Sequence, residues 1–314
     1  MRVAVTGAGG RLGRAVVAAL EEAPFTGPFG PIAWTRAIFD LDAPDAVGAL
    51  LDRDRPEVVV HCAAWTDVDG CAREPEVAHR RNATATGILA RAAAERGVDL
   101  IVVSTNEVFD GSRTDGRGYG PTDETRPINA YGRSKAAGEE AATQAYAAAG
   151  AGTAAGGGGA LGIARTAWLY GPPGNDFPAK ILAAADRAAT AGEPLRLVAD
   201  EVGSPSYAAD VAEAIAELIG ADGGGAIAGI HHLVNGGRAS RAEWARELLR
   251  QAGVAVATED VPASTWPRAS TPPPWAVLDP TPLPGGEPLR PWQAALADYI
   301  PTLLRDRARA GAAR

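Results

Sequence analysis

The sequence is poor in the features that mark membrane-spanning, disulfide-stabilised and metal-binding proteins. No run of apolar residues approaches the roughly 20 that a helix needs to cross a bilayer. The cysteines, Cys62 and Cys71, do not form a Cys-x-x-Cys pattern, and no spacing of His, Cys or carboxylate residues is typical of a metal site. We therefore expect no membrane partner and no bound metal. The N-terminus lacks the apolar core of a signal peptide, which favours the cytoplasm.

Lysine is scarce as well, since only Lys135 and Lys180 are lysine among 30 basic residues. A compact ammonium and a planar guanidinium are not interchangeable. In a sequence that uses arginine almost everywhere, each remaining lysine is a candidate for a position where arginine will not serve.

The balance of charge argues against two classes of partner. The formal net charge is -8 and the isoelectric point is near 5.1, whereas nucleic acids and anionic membranes select basic surfaces. Hydrophobic residues make up 46% of the chain and charged residues 22%, as in ordinary globular proteins. We expect no nucleic-acid partner, and any phosphate-bearing ligand must be bound locally.

Short apolar runs alternate with segments of helical spacing along the chain. Strands are predicted at 2–6, 31–35, 57–61, 99–104, 161–165 and 230–234, and helices at 14–20, 43–52, 76–96 and 131–149. The third run, Glu57 to His61, is nearly all β-branched, as expected for a parallel strand buried on both faces. The alternation predicts an α/β fold with a doubly wound, Rossmann-like parallel sheet, whose ligands bind beyond the C-terminal ends of the strands.

Three glycines, Gly7, Gly10 and Gly13, lie between the first predicted strand and the first predicted helix. In this position a glycine turn lets backbone N–H groups approach a pyrophosphate at the helix N-terminus. A tight turn without a ligand has the same composition. Because a predicted strand precedes the glycines and a predicted helix follows them, the pattern favours dinucleotide binding by the glycines together with Arg11 and Leu12.

The end of the second strand reads Trp34-Thr35-Arg36 and carries no carboxylate. An acidic residue there would bind the ribose 2′-OH of NADH, whereas an arginine accommodates the 2′-phosphate of NADPH. The sequence therefore favours NADPH with Arg36 near the phosphate, although NADH stays possible. Asp40 and Leu41 are placed to face the adenine, and Asp42 either joins them or caps the next helix.

Tyr131 and Lys135 stand four residues apart in a predicted helix, so their side chains are neighbours on one face. A phenol has a pKa of about 10, and a positive charge within about 6 Å lowers it toward the working pH. Such a tyrosine can protonate a developing alkoxide. An amphipathic surface pair has the same spacing, but the scarcity of lysine favours a catalytic pair.

Polar and small residues follow two other predicted strands. Ser104 and Thr105 end the fourth strand, where their hydroxyls either bind a substrate carbonyl or cap the strand. Ala63, Ala64 and Thr66 follow the third strand, where small residues either leave room for a flat cofactor or simply pack.

Seven segments carry a family resemblance that spans nearly the whole chain. They are 6–13 (TGAGGRLG), 61–69 (HCAAWTDVD), 104–111 (STNEVFDG), 129–139 (NAYGRSKAAGE), 165–171 (RTAWLYG), 200–205 (DEVGSP) and 229–234 (GIHHLV). Taken in order, they resemble the dTDP-4-dehydrorhamnose reductase family of the extended short-chain dehydrogenase/reductases.

The resemblance implies NADPH-dependent reduction of the C4 ketone of dTDP-4-dehydro-L-rhamnose to dTDP-L-rhamnose, by a monomer or a homodimer. It makes Tyr131 the general acid, Lys135 the group that lowers its pKa and holds the nicotinamide ribose, and Thr105 the hydroxyl on the substrate oxygen. It places four residues near the sugar: Asn106, Trp168, Asn175 and Phe177.

The chain also departs from the family pattern. The family usually has Ser-Thr-Asp-Tyr where this chain has Ser104-Thr105-Asn106-Glu107. Asn106 cannot act as the acid that related sugar-nucleotide 4,6-dehydratases use, so dehydration is disfavoured. Some members bind Mg²⁺ through a glutamate two residues after the third glycine, where this chain has Ala15. We expect no metal dependence.

The resemblance and the alternating pattern together predict how the chain divides. Residues 1–171 with 205–235 would form the dinucleotide-binding Rossmann domain, and 172–204 with 236–314 a smaller C-terminal substrate-binding lobe. Two other functions stay open. One is a 4-ketoreductase of another nucleotide-activated deoxysugar, and the other is a non-catalytic NADP-binding regulatory subunit, which the retained Tyr131 and Lys135 disfavour.

Overall fold

The computed structural model describes residues 1–150, 159–173, 175–221 and 226–312. Its strands are β1 (Val3–Thr6), β2 (Ile32–Trp34), β3 (Val58–His61), β4 (Asp99–Thr105), β5 (Leu161–Thr166), β6 (Leu169–Tyr170), β7 (Leu195–Val198), β8 (Val202–Gly203), β9 (Ser206–Tyr207), β10 (Gly229–His232), β11 (Ala239–Ser240), β12 (Thr258–Val261) and β13 (Trp275–Ala276). Its helices are α1 (Arg11–Glu22), α2 (Val47–Asp54), α3 (Val68–Arg73), α4 (Pro75–His79), α5 (Ala85–Ala94), α6 (Ala130–Ala148), α7 (Phe177–Ala191), α8 (Ala208–Gly220), α9 (Arg241–Gln251) and α10 (Trp292–Ala312). A π-helical turn, Arg80–Thr84, joins α4 to α5.

Six of these strands form a fully parallel sheet in the order β10-β5-β4-β3-β1-β2. The chain runs outward from β1 to β2, returns to β3 on the other side of β1, and then continues through β4 and β5 to β10. This reversal leaves the C-terminal ends of β1 and β3 side by side, which is where such sheets open a crevice for ligands. The predicted doubly wound parallel sheet is confirmed, and the predicted strand bounds lie within two residues of those observed.

The sheet is buried on both faces, and the middle positions of β1, β3 and β4 are apolar. Val3 and Val5 of β1 belong to a hydrophobic cluster with residues of α1 and α8. Ala4, which points to the opposite face, belongs to a second cluster with residues of α2, α5 and α6. Side chains alternate between the two faces of a strand, so a strand covered by helices on both faces cannot show a polar face.

A separate hydrophobic cluster lies among α7, β7, α9 and α10, around the buried residues Leu182, Leu197, Trp244 and Leu296. Helix α9 begins with a capping box, in which Ser240 and Glu243 each bind the backbone N–H of the other at 3.0 and 2.7 Å. No helix among the described residues is both long and apolar enough to cross a bilayer.

A buried ion pair ties β5 to α6. Arg165 contacts the Glu139 carboxylate through Nη2 at 2.6 Å and through Nε at 3.1 and 3.2 Å, and the two side chains are only 3% and 8% exposed. The Ser104 hydroxyl, in β4, donates to the same carboxylate. Breaking a buried pair leaves an uncompensated charge, which is far more costly than losing an exposed pair.

We expect Arg165→Met to lower the free energy of unfolding by about 3 kcal/mol or more, because it leaves Glu139 buried without its counter-ion. Urea unfolding followed by circular dichroism measures the change. Arg126→Met is the matched control: it removes an exposed pair whose side chains are 65% and 72% accessible, and it should change stability little. Equal losses in the two variants would contradict this account.

Candidate active site

A cleft opens beyond the C-terminal ends of β1, β3, β4 and β5. Its larger part has a volume of about 430 Å³ and is lined by the glycine turn, the segments after β3 and β4, the start of α6, and Trp168 with its neighbours after β5. A narrower part continues toward the end of β2 and shares Gly7, Gly10, Cys62 and Ala64 with the first. Thr66 lines the larger part and Ala63 the narrower one.

The glycine turn is possible only without side chains at two positions. Gly7 has a φ of +62°, and a Cβ there would lie 2.8 Å from the Ala63 Cα. A Cβ on Gly13 would lie 2.2 Å from the Gly7 carbonyl oxygen. Helix α1 begins directly after Gly10, and no side chain caps it. The first N–H groups of a helix have no intrahelical partner. The turn therefore presents backbone donors at the cleft.

Arg11 and Leu12 have different roles at the start of α1. The Arg11 guanidinium donates to the carbonyl oxygens of Gly171 and Pro173 at 2.9 and 3.3 Å, which ties the helix start to the segment after β6. Leu12 packs into the core of the sheet domain while also lining the cleft.

The narrower part of the cleft contains Arg36, which was predicted to lie near the 2′-phosphate, and Asp40 and Leu41, which were predicted to face the adenine. The Arg36 side chain is 78% exposed and lies 3.6 Å from Asp40 and 3.5 Å from Asp42, so it is only loosely held. Asp42 does not cap the next helix. It accepts two hydrogen bonds at 2.7 Å from Arg81, which hold its pKa below the usual value. The sequence did not predict Arg81, which lies 39 residues from Asp42.

Helix α6 brings Tyr131 and Lys135 to the larger part of the cleft. Asn129 caps the helix, since its Oδ1 accepts from the Gly132 N–H at 2.8 Å. Tyr131 is 9% exposed and Lys135 is 3% exposed. The Lys135 ammonium donates to the Val103 carbonyl at 2.7 Å. Burial lowers the pKa of Lys135 to about 8, while the charge of Glu139 acts in the opposite direction.

The pKa of Tyr131 does not follow the prediction made from its spacing to Lys135. Burial raises the pKa of the phenol well above its ordinary value, the charge of Glu107 raises it further, and Thr105 lowers it in part. The Lys135 ammonium donates to the Val103 carbonyl, and its charge does not outweigh the effect of burial on the phenol. The expected lowering of this pKa toward the working pH is wrong for this structure, and the phenol stays protonated.

The four residues at the end of β4 differ in what they offer to the cleft, although all four line it. The Ser104 hydroxyl donates to Glu139. The Thr105 Oγ1 accepts from the Glu107 N–H and donates to the Asn106 Oδ1, both at 3.2 Å. The Asn106 amide donates to the Ala276 carbonyl at 3.1 Å. Glu107, which the sequence did not single out as a site residue, is largely buried beside Tyr131.

Trp168 forms the opposite wall together with Arg241, which the sequence did not predict. Trp168 has a φ of +41°, which is rare for a bulky side chain. A Cβ on Gly203 would lie 2.5 Å from the indole Cε2. The Arg241 guanidinium lies 3.5 Å from the ring centroid, and burial lowers the pKa of this arginine to about 10. Arg241 is the first residue of α9, so no local pattern connects it to Trp168.

The structure does not bring the other two predicted sugar-binding residues to the cleft. Asn175 is exposed and does not line it. Phe177 stacks on Trp244 with ring centroids 4.4 Å apart and lies 5.3 Å from the Arg241 guanidinium. It therefore packs behind the wall that Trp168 and Arg241 form.

The cleft combines groups that suit a dinucleotide and a carbonyl compound. Backbone donors at a helix N-terminus bind phosphate, and a protonated phenol can deliver a proton to a carbonyl oxygen. Within the described part of the chain, no group of three or more His, Cys, Asp or Glu side chains is arranged to hold a metal ion.

The chain matches a known family along nearly its whole length. Residues 1–305 match the family described as the RmlD substrate binding domain. The chain is 37% identical over 305 residues to the dTDP-4-dehydrorhamnose reductase of Mycobacterium tuberculosis, with 95% of this chain and 92% of that protein covered.

Solved structures share the fold. A dTDP-4-dehydrorhamnose reductase from Clostridium acetobutylicum superposes with a TM-score of 0.84 at 29% identity, covering 97% of this chain and 100% of the other. A dTDP-4-dehydrorhamnose reductase from Bacillus anthracis in complex with NADP superposes with a TM-score of 0.81 at 29% identity, covering 95% and 98%. The family predicted from the motifs is confirmed: the chain belongs to the dTDP-4-dehydrorhamnose reductase family of oxidoreductases.

Proposed function

We propose that the protein reduces the C4 ketone of dTDP-4-dehydro-L-rhamnose to dTDP-L-rhamnose with NADPH, and that Tyr131 is the general acid. The observation that carries this proposal is the meeting of Tyr131, Lys135 and Thr105 in one cavity that ends at the glycine turn. The Mycobacterium tuberculosis relative is named for this reaction, and the Bacillus anthracis structure is a complex with NADP.

The glycine turn supports the assignment of the cofactor. Gly7, Gly10 and Gly13 line the cleft at the start of α1, whose first N–H groups have no side-chain cap and can bind a phosphate. We assign the pyrophosphate to this turn, the 2′-phosphate to Arg36, and the adenine to the neighbourhood of Asp40 and Leu41. When bound, NADPH supplies the hydride.

The side chains of the chain itself handle the proton. Tyr131 donates its phenol proton to the ketone oxygen as negative charge develops there, and the Thr105 hydroxyl binds the same oxygen. Because the phenol has a raised pKa, it is fully protonated before reaction. Lys135 acts after the proton has left, since its positive charge one helical turn away stabilises the phenolate.

The separate hydrophobic cluster around Trp244 supports a substrate-binding lobe. We assign residues 172–204 and 236–314 to this lobe, and 1–171 with 205–235 to the dinucleotide-binding domain. The clusters on the two faces of the sheet are built with α1, α2, α5, α6 and α8, whereas the cluster around Trp244 is built from α7, β7, α9 and α10. A nucleotide sugar would bind between Tyr131 of one domain and Arg241 of the other.

One assay distinguishes this reaction from its alternatives. NADPH oxidation is measured with dTDP-4-dehydro-L-rhamnose beside other 4-ketosugar nucleotides. A reductase of a different deoxysugar has the same catalytic residues but oxidises NADPH faster with another substrate in the panel, and a non-catalytic subunit oxidises it with none. Highest kcat/KM for dTDP-4-dehydro-L-rhamnose is the expected result.

Tyr131→Phe should lower kcat by about 10²- to 10⁴-fold, because it removes the proton donor, and should leave the Kd for NADPH nearly unchanged. Initial rates and fluorescence titration measure the two quantities. Tyr146→Phe is the control on the same helix, since its hydroxyl donates to the Val98 carbonyl at 2.6 Å away from the cleft. Full turnover in Tyr131→Phe would rule out the assignment.

The kcat/KM of the enzyme should fall as pH rises through about 8. Burial disfavours the ammonium, so Lys135 is charged below its pKa of about 8 and neutral above it. The neutral amine no longer stabilises the phenolate. Arginine stays charged to a pH above about 12, so Lys135→Arg should be slower but lose this decline. Parallel pH profiles in the two proteins would show that another group titrates.

Arg36→Ala should raise the Kd for NADPH about tenfold or more, since it removes a charge-assisted hydrogen bond to the 2′-phosphate. NADH has no such phosphate and serves as the internal control, so its Kd should stay the same. Fluorescence titration with both nucleotides measures the difference. Equal weakening of the two would place the 2′-phosphate elsewhere.

A further inference from the structure

Glu107 places a carboxylate in the wall of the cavity beside Tyr131. It lies in the short 3-10 turn Asn106–Val108 that follows β4, and it lines the same cavity as Tyr131 and Thr105. The two groups are close enough for the charge of Glu107 to raise the pKa of the Tyr131 phenol.

The carboxylate is held in a fixed orientation. Its Oε2 accepts from the Asn129 Nδ2 at 2.7 Å, and Asn129 also donates to the Thr271 carbonyl at 3.2 Å. The other end of the same amide caps α6. Glu107 is therefore fixed relative to the helix that carries Tyr131.

Glu107 lacks the cationic partner that a largely buried carboxylate normally has. Among the described residues, no basic side chain lies within ion-pair distance of it, and its Oε1 accepts no hydrogen bond. The arginines that act on it from further away are paired with other carboxylates, Arg241 with Glu201 at 3.5 Å and Arg268 with Asp69 at 3.2 Å. The Oε1 is therefore an acceptor on the cavity wall that remains available to a ligand with a donor.

Asn106 does not offer a comparable group, although the family resemblance assigns it to the substrate. Its amide donates to the Ala276 carbonyl, its Oδ1 accepts from Thr105, and the residue is 3% exposed. The uncommitted acceptor at this end of the cavity belongs to Glu107.

We propose that Glu107 is a specificity-determining residue, which accepts a hydrogen bond from the sugar hydroxyl on C3, next to the ketone. This rests on the proposed function, because the C4 ketone oxygen must meet Tyr131. Of the two ring carbons beside C4, C3 carries a hydroxyl and C5 carries a methyl group, so only C3 offers a donor. A sugar without that hydroxyl leaves the carboxylate unpaired and is rejected.

The test pairs a change in the protein with a change in the substrate. The kcat/KM values are measured for dTDP-4-dehydro-L-rhamnose and its 3-deoxy analogue. The wild-type enzyme should prefer the hydroxylated sugar by about 10- to 100-fold, as expected for a hydrogen bond to a charged group. Glu107→Ala should lose most of this preference, and Glu107→Gln, which keeps a neutral acceptor, should be intermediate. Glu124→Gln, at a side chain that is 72% exposed, is the control and should keep it.

The other outcomes overturn the proposal in distinguishable ways. If Glu107 only supports Asn129 and α6, its variants lose kcat/KM for both sugars by the same factor and keep the preference. A wild-type enzyme without a preference also contradicts the role of Glu107, and in both cases the proposed function stands. If the wild-type enzyme turns over neither sugar, the proposed function falls and this proposal falls with it.

Discussion

The Glu139 carboxylate fixes the part of the molecule on which the site depends. It accepts hydrogen bonds from Arg165 of β5 and from Ser104 of β4, and it lies one helical turn beyond Lys135 on α6. All these groups are buried, so each is stable only because the others are present. The charge of Glu139 also favours the ammonium form of Lys135 against burial. One carboxylate thus holds α6 against two strands of the sheet and favours the charged form of its buried lysine.

The opposite wall depends on close packing. Trp168 occupies the left-handed backbone region because the surrounding contacts hold it there, with Gly203 leaving room for its ring and Arg241 lying on the ring. Arg241 covers the indole, so the group that this wall presents to a ligand is in part a guanidinium. The two walls come from different hydrophobic clusters, and the cavity between them exists only when both are folded.

The features that the sequence predicts well are those whose geometry is local. The glycine turn is continuous in sequence, and Tyr131 and Lys135 lie on one helix. A strand that is covered on both faces has a mostly apolar sequence. Arg81 and Arg241 were missed because tertiary packing alone brings them to Asp42 and Trp168. Asn175 and Phe177 lie outside the lining of the cleft, because their place in the family motif does not determine where the folded chain directs them.

Burial decides what a charged or polar group does, and spacing alone does not reveal it. The expectation for Tyr131 counted the charge of Lys135 but not the desolvation of the phenol, which acts in the opposite direction and dominates. Glu139 is buried and is saturated by Arg165 and Ser104, whereas Glu107 lines the cavity and has one amide donor, Asn129. A saturated carboxylate stabilises the fold. An unsaturated one beside the proton donor leaves an acceptor for a ligand in the cavity.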